Sequence, residues 1–233
     1  MDKLKGRVAL ITGASMGLGR ATALTYAAEG ARLGLCARHP EPLARVAAAI
    51  RALGAEVLAT PADTGVEADR ERLLAVTEDR FGRIDVLVNN ASTLGPLPLP
   101  QLTDLDLGDL QEVLRVNLEG PFQLAQGVLA GMIARGSCVI INVSSDAALE
   151  AYPGWGAYSA AKAALDALTR VWAEELKGTG VEVVSFDPGD MDTAMHRAAL
   201  PDDDPGALAR PEQVAERLVD LARGRAGAVR VTE

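Results

Sequence analysis

The segment Tyr158-Ser159-Ala160-Ala161-Lys162 places a phenol and an ammonium four residues apart. In a helix that spacing puts both side chains on one face, a turn apart. A free tyrosine ionises near pH ~10, too high for easy proton exchange at neutral pH. A neighbouring ammonium favours the phenolate and lowers that value. The pair can then give a proton to, or take one from, a carbonyl or alcohol oxygen. The same spacing also suits an ordinary amphipathic helix surface, so it gains meaning only from its partners. A hydroxyl is available at the end of Ile141-Asn142-Val143-Ser144-Ser145, where Ser145 lies thirteen residues before Tyr158. Either Ser145 bonds a substrate oxygen, or Ser144 does and Ser145 caps the loop. Asn117 is a fourth candidate, because asparagine is a poor residue inside a helix. It either makes a specific hydrogen bond or packs at a helix bend.

A second chemistry is written near the N-terminus. An apolar run enters Thr12-Gly13-Ala14-Ser15-Met16-Gly17-Leu18-Gly19, and a helical pattern follows. Glycines between a strand and a helix let backbone N–H groups approach a pyrophosphate at the helix N-terminus, and they also suit a plain tight turn. The second apolar run ends Cys36-Ala37-Arg38-His39. An acid there would bind the ribose 2′-hydroxyl of NAD; Ala37 holds that place instead. Arg38 can pair with a 2′-phosphate, so NADP(H) is expected over NAD(H), unless Arg38 is a solvated surface residue. Asp63 can accept from an adenine amino group or cap the following helix.

Alternating elements must hold these residues. Short apolar runs at 7–11, 32–37, 55–59, 84–88, 138–143, 181–186 and 228–231 read as strands, most of them continuous as in a sheet covered on both faces. Helical spacing fills 21–29, 42–53, 66–81, 105–134, 158–177 and 211–222. Strands alternating with helices imply an α/β fold: a doubly wound parallel sheet of about seven strands. No repeat or linker interrupts it, so residues 1–233 read as one domain. Segment 187–210, rich in Asp and Pro, follows the sixth strand and is expected to lie over the ligand-binding edge as a lid.

Composition narrows the classes. The chain has 233 residues, a net charge of −9 and 48% hydrophobic residues, the balance of a globular domain. The acidity argues against nucleic-acid and anionic-membrane partners. No apolar run is long enough to span a bilayer, and no signal-peptide pattern opens the sequence, so a cytoplasmic location is expected. Cys36 and Cys138, each in an apolar run, read as buried core, and His39 and His196 are too distant for a metal site.

Taken together and in order, Thr12–Gly19, the Asn89-Asn90-Ala91-Ser92 run, Asn117, the Ser145, Tyr158, Lys162 set, and Pro188-Gly189 followed by Thr193 resemble the short-chain dehydrogenase/reductase family over almost the whole chain. The resemblance implies a Rossmann-type domain and hydride transfer between a nicotinamide and a carbonyl or secondary alcohol, without metal. It implies that Tyr158 exchanges the proton and that Lys162 lowers its pKa and holds the nicotinamide ribose. Ser145 would polarise the carbonyl, and Asn117 would hold a water in a relay to Lys162. Gly13, Ser15, Met16, Gly17, Leu18, Gly19, Arg38, His39, Asp63, Thr64, Asn90, Ala91, Ser92, Pro188, Gly189, Met191 and Thr193 would form the cofactor site, with Thr193 at the carboxamide. Ser92 stands where the family usually has glycine. The chain after residue 225 is short and lacks the glycine-containing tail that closes the family's last strand. A homodimer is expected, with a homotetramer as the alternative.

Thr93, Leu94, Asp146, Ala147, Trp155 and His196 are expected to border a small-molecule substrate, with the methionines adding an apolar wall. Asp146 would touch a polar or cationic group or be a solvated loop acid; His196 would be a second contact or a surface residue. The leading expectation is an NADP(H)-dependent carbonyl reductase or alcohol dehydrogenase. The alternatives are a 3-oxoacyl-thioester reductase and a non-catalytic NADP(H)-binding redox sensor.

Overall fold

The structure, a computed structural model, describes residues 2–224 and 226–233. Seven parallel strands form one sheet in the order β3-β2-β1-β4-β5-β6-β7. They are β1 (Val8–Thr12), β2 (Arg32–Ala37), β3 (Val57–Pro61), β4 (Val86–Asn89), β5 (Cys138–Val143), β6 (Val181–Asp187) and β7 (Arg230–Thr232). The helices are α1 (Gly17–Ala28), α2 (Pro40–Ala52), α3 (Glu67–Phe81), α4 (Leu107–Leu114), α5 (Gly120–Arg135), α6 (Gly156–Glu175), α7 (Ala194–Ala199) and α8 (Pro211–Ala222). Chain direction across the sheet reverses between β1 and β4, which opens a crevice beyond their carboxyl ends.

Alternation along each strand builds two cores. Ile11, Leu35, Val88 and Ile141 face one side, with Leu18 and Tyr26 of α1, Val46 of α2 and Leu218 of α8. Leu10, Leu87, Ile140 and Val183 face the other, with Leu73 of α3, Leu124 and Val128 of α5 and Trp172 of α6. Both faces of the central strands are therefore buried, which is why their sequences run apolar without alternation.

Three differences from the sequence reading matter for the site. α1 begins at Gly17, four residues earlier than the periodicity predicts, because the glycine turn itself forms the first helical turn. The expected helix over 105–134 is broken: a π-helical segment, Arg115–Glu119, separates α4 from α5, and Pro121 sits in the first turn of α5. Segment 187–210 is not bare loop. It holds α7 and a 3-10 turn (Pro205–Ala207) and is pinned to itself by a bridge between Met191 and Ala209.

Candidate active site

The chain reversal between β1 and β4 is locked by side chains. Thr12 Oγ1 donates to the Val88 carbonyl and accepts from the N–H groups of Asn90 and Ala91, both at 3.0 Å. Asn90 Nδ2 donates back to the carbonyls of Thr12 (2.9 Å) and Gly13 (3.2 Å). Gly19 packs here as well: a Cβ on it would lie 2.3 Å from the Gly13 carbonyl oxygen. Its role is close helix–strand approach, and it does not line the cavity that the rest of the glycine turn borders.

That cavity, about 280 Å³, is lined by Gly13, Ser15, Met16, Gly17 and Leu18 of the turn. Arg38, His39, Asp63 and Thr64 border it from the second and third strands, and Asn90, Ala91 and Ser92 from the fourth. Tyr158, Lys162, Pro188, Met191 and Thr193 complete the wall among the residues expected there; Gly189 lies on the adjoining cavity instead. The residues fit a dinucleotide. Helix α1 has no side-chain cap and no acid in its first turn, so its N–H groups and positive end remain available to an anion. Arg38 is exposed, with no hydrogen bond or ion pair among the described residues. Asp63 does not cap α3, whose N-cap is Val66; its Oδ1 instead accepts from Gly65 N at 2.8 Å.

Tyr158 lines both this cavity and a second one of about 250 Å³, while Lys162 lines the first and Ser145 the second. Tyr158 and Lys162 project from the buried face of α6. Lys162 Nζ donates to the Val143 carbonyl at 2.7 Å and lies 5.4 Å from the centre of the Tyr158 ring. The hydroxyls of Ser92 and Ser145 face the phenol. Of the two serines, Ser145 is beside Tyr158, while Ser144 is buried and its Oγ accepts from Arg230 at 3.1 Å. Ser92 fits its loop without a left-handed backbone and donates to Asn117 Oδ1 at 3.2 Å.

The proton energetics differ from the simple pair. Burial pushes the Tyr158 phenol up to about 12, against the opposing hydrogen bonds from Ser92 and Ser145. Burial also lowers Lys162 to about 8, opposed by the Asp166 carboxylate. The phenol therefore lies above its ordinary value, not below it as its neighbour's charge alone would have it. Desolvation disfavours both charged forms at once and is the largest cause of each shift.

Asn117 sits in the π-helical segment, a distortion common at functional sites. Its side chain is fully used on the loop after β4. Oδ1 accepts from Thr93 N at 2.9 Å, and Nδ2 donates to the Thr93 carbonyl at 2.8 Å. Thr93 is consequently a backbone anchor and lines neither cavity.

The second cavity is walled by Leu94, Ala147, Trp155, Met195 and Leu200, with Asp146, Asp187, Asp190, Tyr152 and His196 supplying polar groups. Trp155 meets Tyr158 edge-on at 5.6 Å between ring centres. Asp146 is tied down on both oxygens: Oδ1 accepts from Ser145 Oγ (2.9 Å) and Ala147 N (2.7 Å), and Oδ2 from Tyr152 (2.7 Å). His196 Nε2 lies 2.9 Å from Asp203 Oδ2, so the lid's acidic turn holds it. Sequence reasoning missed Tyr152, Asp187, Asp190 and Arg230. The first three stand within a few residues of motifs it used, whereas nothing local marks Arg230. Among the described residues no group of three His, Cys, Asp or Glu could hold a metal ion.

A family model described as short chain dehydrogenase matches residues 7–204. The chain belongs to the short-chain dehydrogenase/reductase family. It is an oxidoreductase of the CH–OH/C=O class that uses a nicotinamide cofactor. It is 35% identical over 231 residues to a 3-oxoacyl-[acyl-carrier-protein] reductase of Thermotoga maritima, covering 94% of this chain and 92% of that one. Levodione reductase superposes with a TM-score of 0.90 at 32% identity, over 98% of this chain and 95% of that one. A metagenomic short-chain oxidoreductase in complex with NADP gives 0.86 at 32% identity, over 99% and 98%. No helix among the described residues is long and apolar enough to cross a membrane.

Proposed function

We propose that the protein is an NADP(H)-dependent carbonyl reductase or alcohol dehydrogenase with Tyr158 as general acid and base. The observation that carries this reading is that Tyr158 lines both cavities, with Lys162 beside it on the first and Ser145 beside it on the second. The bound nicotinamide would supply or accept the hydride. Held at about 12, the phenol keeps its proton at neutral pH and is ready to donate it to a carbonyl oxygen. Ser145 Oγ orients that oxygen against the phenol. Lys162, fixed by the Val143 carbonyl, lines the cofactor cavity and would hold the nicotinamide ribose. Asn117 spends its side chain on Thr93, so a relay water would have to rest on its backbone carbonyl. Arg38, without an acid at Ala37, would pair with the 2′-phosphate. The cofactor set named above would hold the dinucleotide, and segment 187–210 of the single domain would act as the substrate lid, with Met195, His196 and Leu200 facing the cavity.

A second reading, 3-oxoacyl-thioester reduction, is favoured by the relative from Thermotoga maritima. Against it stand the carboxylates of Asp146, Asp187 and Asp190 around the cavity, which suit a small neutral carbonyl better than a substrate carried on an acidic protein. The exposed apolar side chains of Leu107, Ile133 and Val171 on α4, α5 and α6 support a homodimer or homotetramer. Two buried free cysteines suit a reducing cytoplasm. The test is consumption of NADPH and NADH against ketones, aldehydes, diketones, quinones and 3-oxoacyl thioesters. Turnover of small carbonyls with NADPH supports the reading. Faster turnover of thioesters favours the second one, and tight NADPH binding without turnover on any compound favours a redox sensor.

A further inference from the structure

Arg230, the first residue of β7, reaches across the carboxyl edge of the sheet. Its side chain is 21% exposed. Nη1 donates to Asp166 Oδ2 at 2.6 Å and to Ser144 Oγ at 3.1 Å. Nη2 donates to Asp187 Oδ2 at 3.0 Å and to the Ser145 carbonyl at 3.1 Å. One guanidinium thus joins α6, the end of β6 and the turn after β5.

Two of those bonds hold the turn around Ser145, one on the Ser144 side chain and one on the Ser145 main-chain carbonyl. The other two engage buried acids that the proposed chemistry does not use. Asp166 follows Lys162 by one helical turn and Tyr158 by two, so all three lie on the same face of α6. It is 3% exposed, and its Oδ1 has no hydrogen-bond partner among the described residues. Asp187 is also buried and closes the floor of the second cavity.

We propose that Arg230 is a positioning residue for the reaction. By holding Ser144 and Ser145 while pairing with Asp166 and Asp187, it sets the Ser145 hydroxyl against Tyr158. It also keeps two carboxylate charges from acting unopposed on the Tyr158–Lys162 pair. This inference rests on the reading of Tyr158 and Ser145 as catalytic. The charged groups facing that pair are Asp146 from the turn after β5, Asp166 from α6, Asp187 from β6 and Arg230 from β7. Asp187 favours the neutral phenol and Asp166 the charged ammonium, so loss of the guanidinium strengthens both effects. A lysine at 230 keeps the charge but cannot span four acceptors on three elements, because an ammonium is a point donor and not a fork.

The test compares Arg230→Lys and Arg230→Ala with the wild type on a substrate that the wild type turns over. Measured are kcat, KM, NADPH affinity by fluorescence, thermal midpoint and the pH dependence of alcohol oxidation. Both variants are expected to bind NADPH normally and to lose kcat on the order of 10–100-fold, the scale of an ångström-sized misplacement. Methylguanidine should restore kcat to Arg230→Ala, and methylammonium should not. The pH of half-maximal oxidation should rise in Arg230→Ala and stay in place in Arg230→Lys. Should Arg230→Ala fail to fold, Arg230→Lys, which keeps a positive charge beside the buried acids, carries the test. A folded Arg230→Lys with wild-type kcat overturns the inference, as does a folded Arg230→Ala that methylguanidine does not rescue. Tyr158→Phe, run in parallel, separates the two claims. Its full activity would remove the catalytic reading itself, whereas an inactive Tyr158→Phe beside a fully active Arg230→Lys removes only the role of Arg230.

Discussion

At the amino end of the sheet, Asp85 is as buried as Lys162 is at the carboxyl end, and the two are partnered very differently. Asp85 accepts from Val8 N at 2.9 Å and from Arg83 Nε at 2.7 Å, with Arg135 Nε at 3.4 Å. Those partners come from β1, from the loop before β4 and from α5, so one carboxylate staples three elements. Lys162 makes one hydrogen bond among the described residues, to the Val143 carbonyl, and burial draws it down to about 8. Tyr158 beside it is pushed up to about 12. The buried carboxylate at one end is paired with two guanidinium groups and serves stability. At the other end the ionised forms are disfavoured, and a ligand that brings charge and hydrogen bonds can change the balance. Stability and reactivity are thus separated along the strand direction, and substitutions should separate them too.

The largest expected effect is at the carboxyl end. Lys162→Met should lower kcat on the order of 1000-fold, the scale of lost proton-transfer catalysis, and weaken NADPH binding. The same change should stabilise the cofactor-free protein by about 1–3 kcal/mol at pH 7, because a buried charge is removed. The sign follows from the depressed pKa. Between about 8 and 10.5 the unfolded chain binds more protons at this lysine than the folded one does, so the wild type gains stability with rising pH in that window. The advantage of Lys162→Met should therefore shrink from pH 7 to pH 10 in denaturant titrations. Equal stability of the two proteins at both values would contradict the contrast.

At the amino end, Asp85→Ala should cost about 3–5 kcal/mol by leaving the Arg83 guanidinium and the Val8 N–H without their acceptor and Arg135 without its ion pair. Its kcat per folded molecule should match the wild type, and a large loss of kcat would blur the separation. Smaller still is the effect of Arg38→Asp. It should move the NADPH-to-NADH preference on the order of 10–100-fold, the scale of lost hydrogen bonds to a charged group, with little change in the thermal midpoint. An unchanged preference would place the 2′-phosphate elsewhere.

Much of this was legible in the sequence because the signals are local. The Tyr158–Lys162 pair is a helix-face spacing, the glycine turn is a strand-to-helix junction, and buried parallel strands read as unbroken apolar runs. Structure resolved what the spacing left open, such as Ser145 over Ser144 beside the phenol. Other features lie outside any local window. The grip of Arg230 on Asp166, Asp187 and the serines joins residues between 43 and 86 positions apart. The Asp85 staple spans 77 positions to Val8. The π-helical segment left only Asn117 as its trace, a polar residue out of place in a helical pattern. The direction of the Tyr158 shift is hidden from the sequence for a related reason: spacing reveals a neighbouring charge, but only the fold reveals how deeply both groups are buried.

The central claim is that the phenol at the carboxyl end carries the proton. The direct measurement is kcat and NADPH affinity of Tyr158→Phe on a carbonyl substrate of the wild type. The account predicts that kcat falls by about 100–10,000-fold, the range of general acid–base catalysis, while NADPH binds as before. A variant that binds NADPH and turns over near the wild-type rate would contradict it.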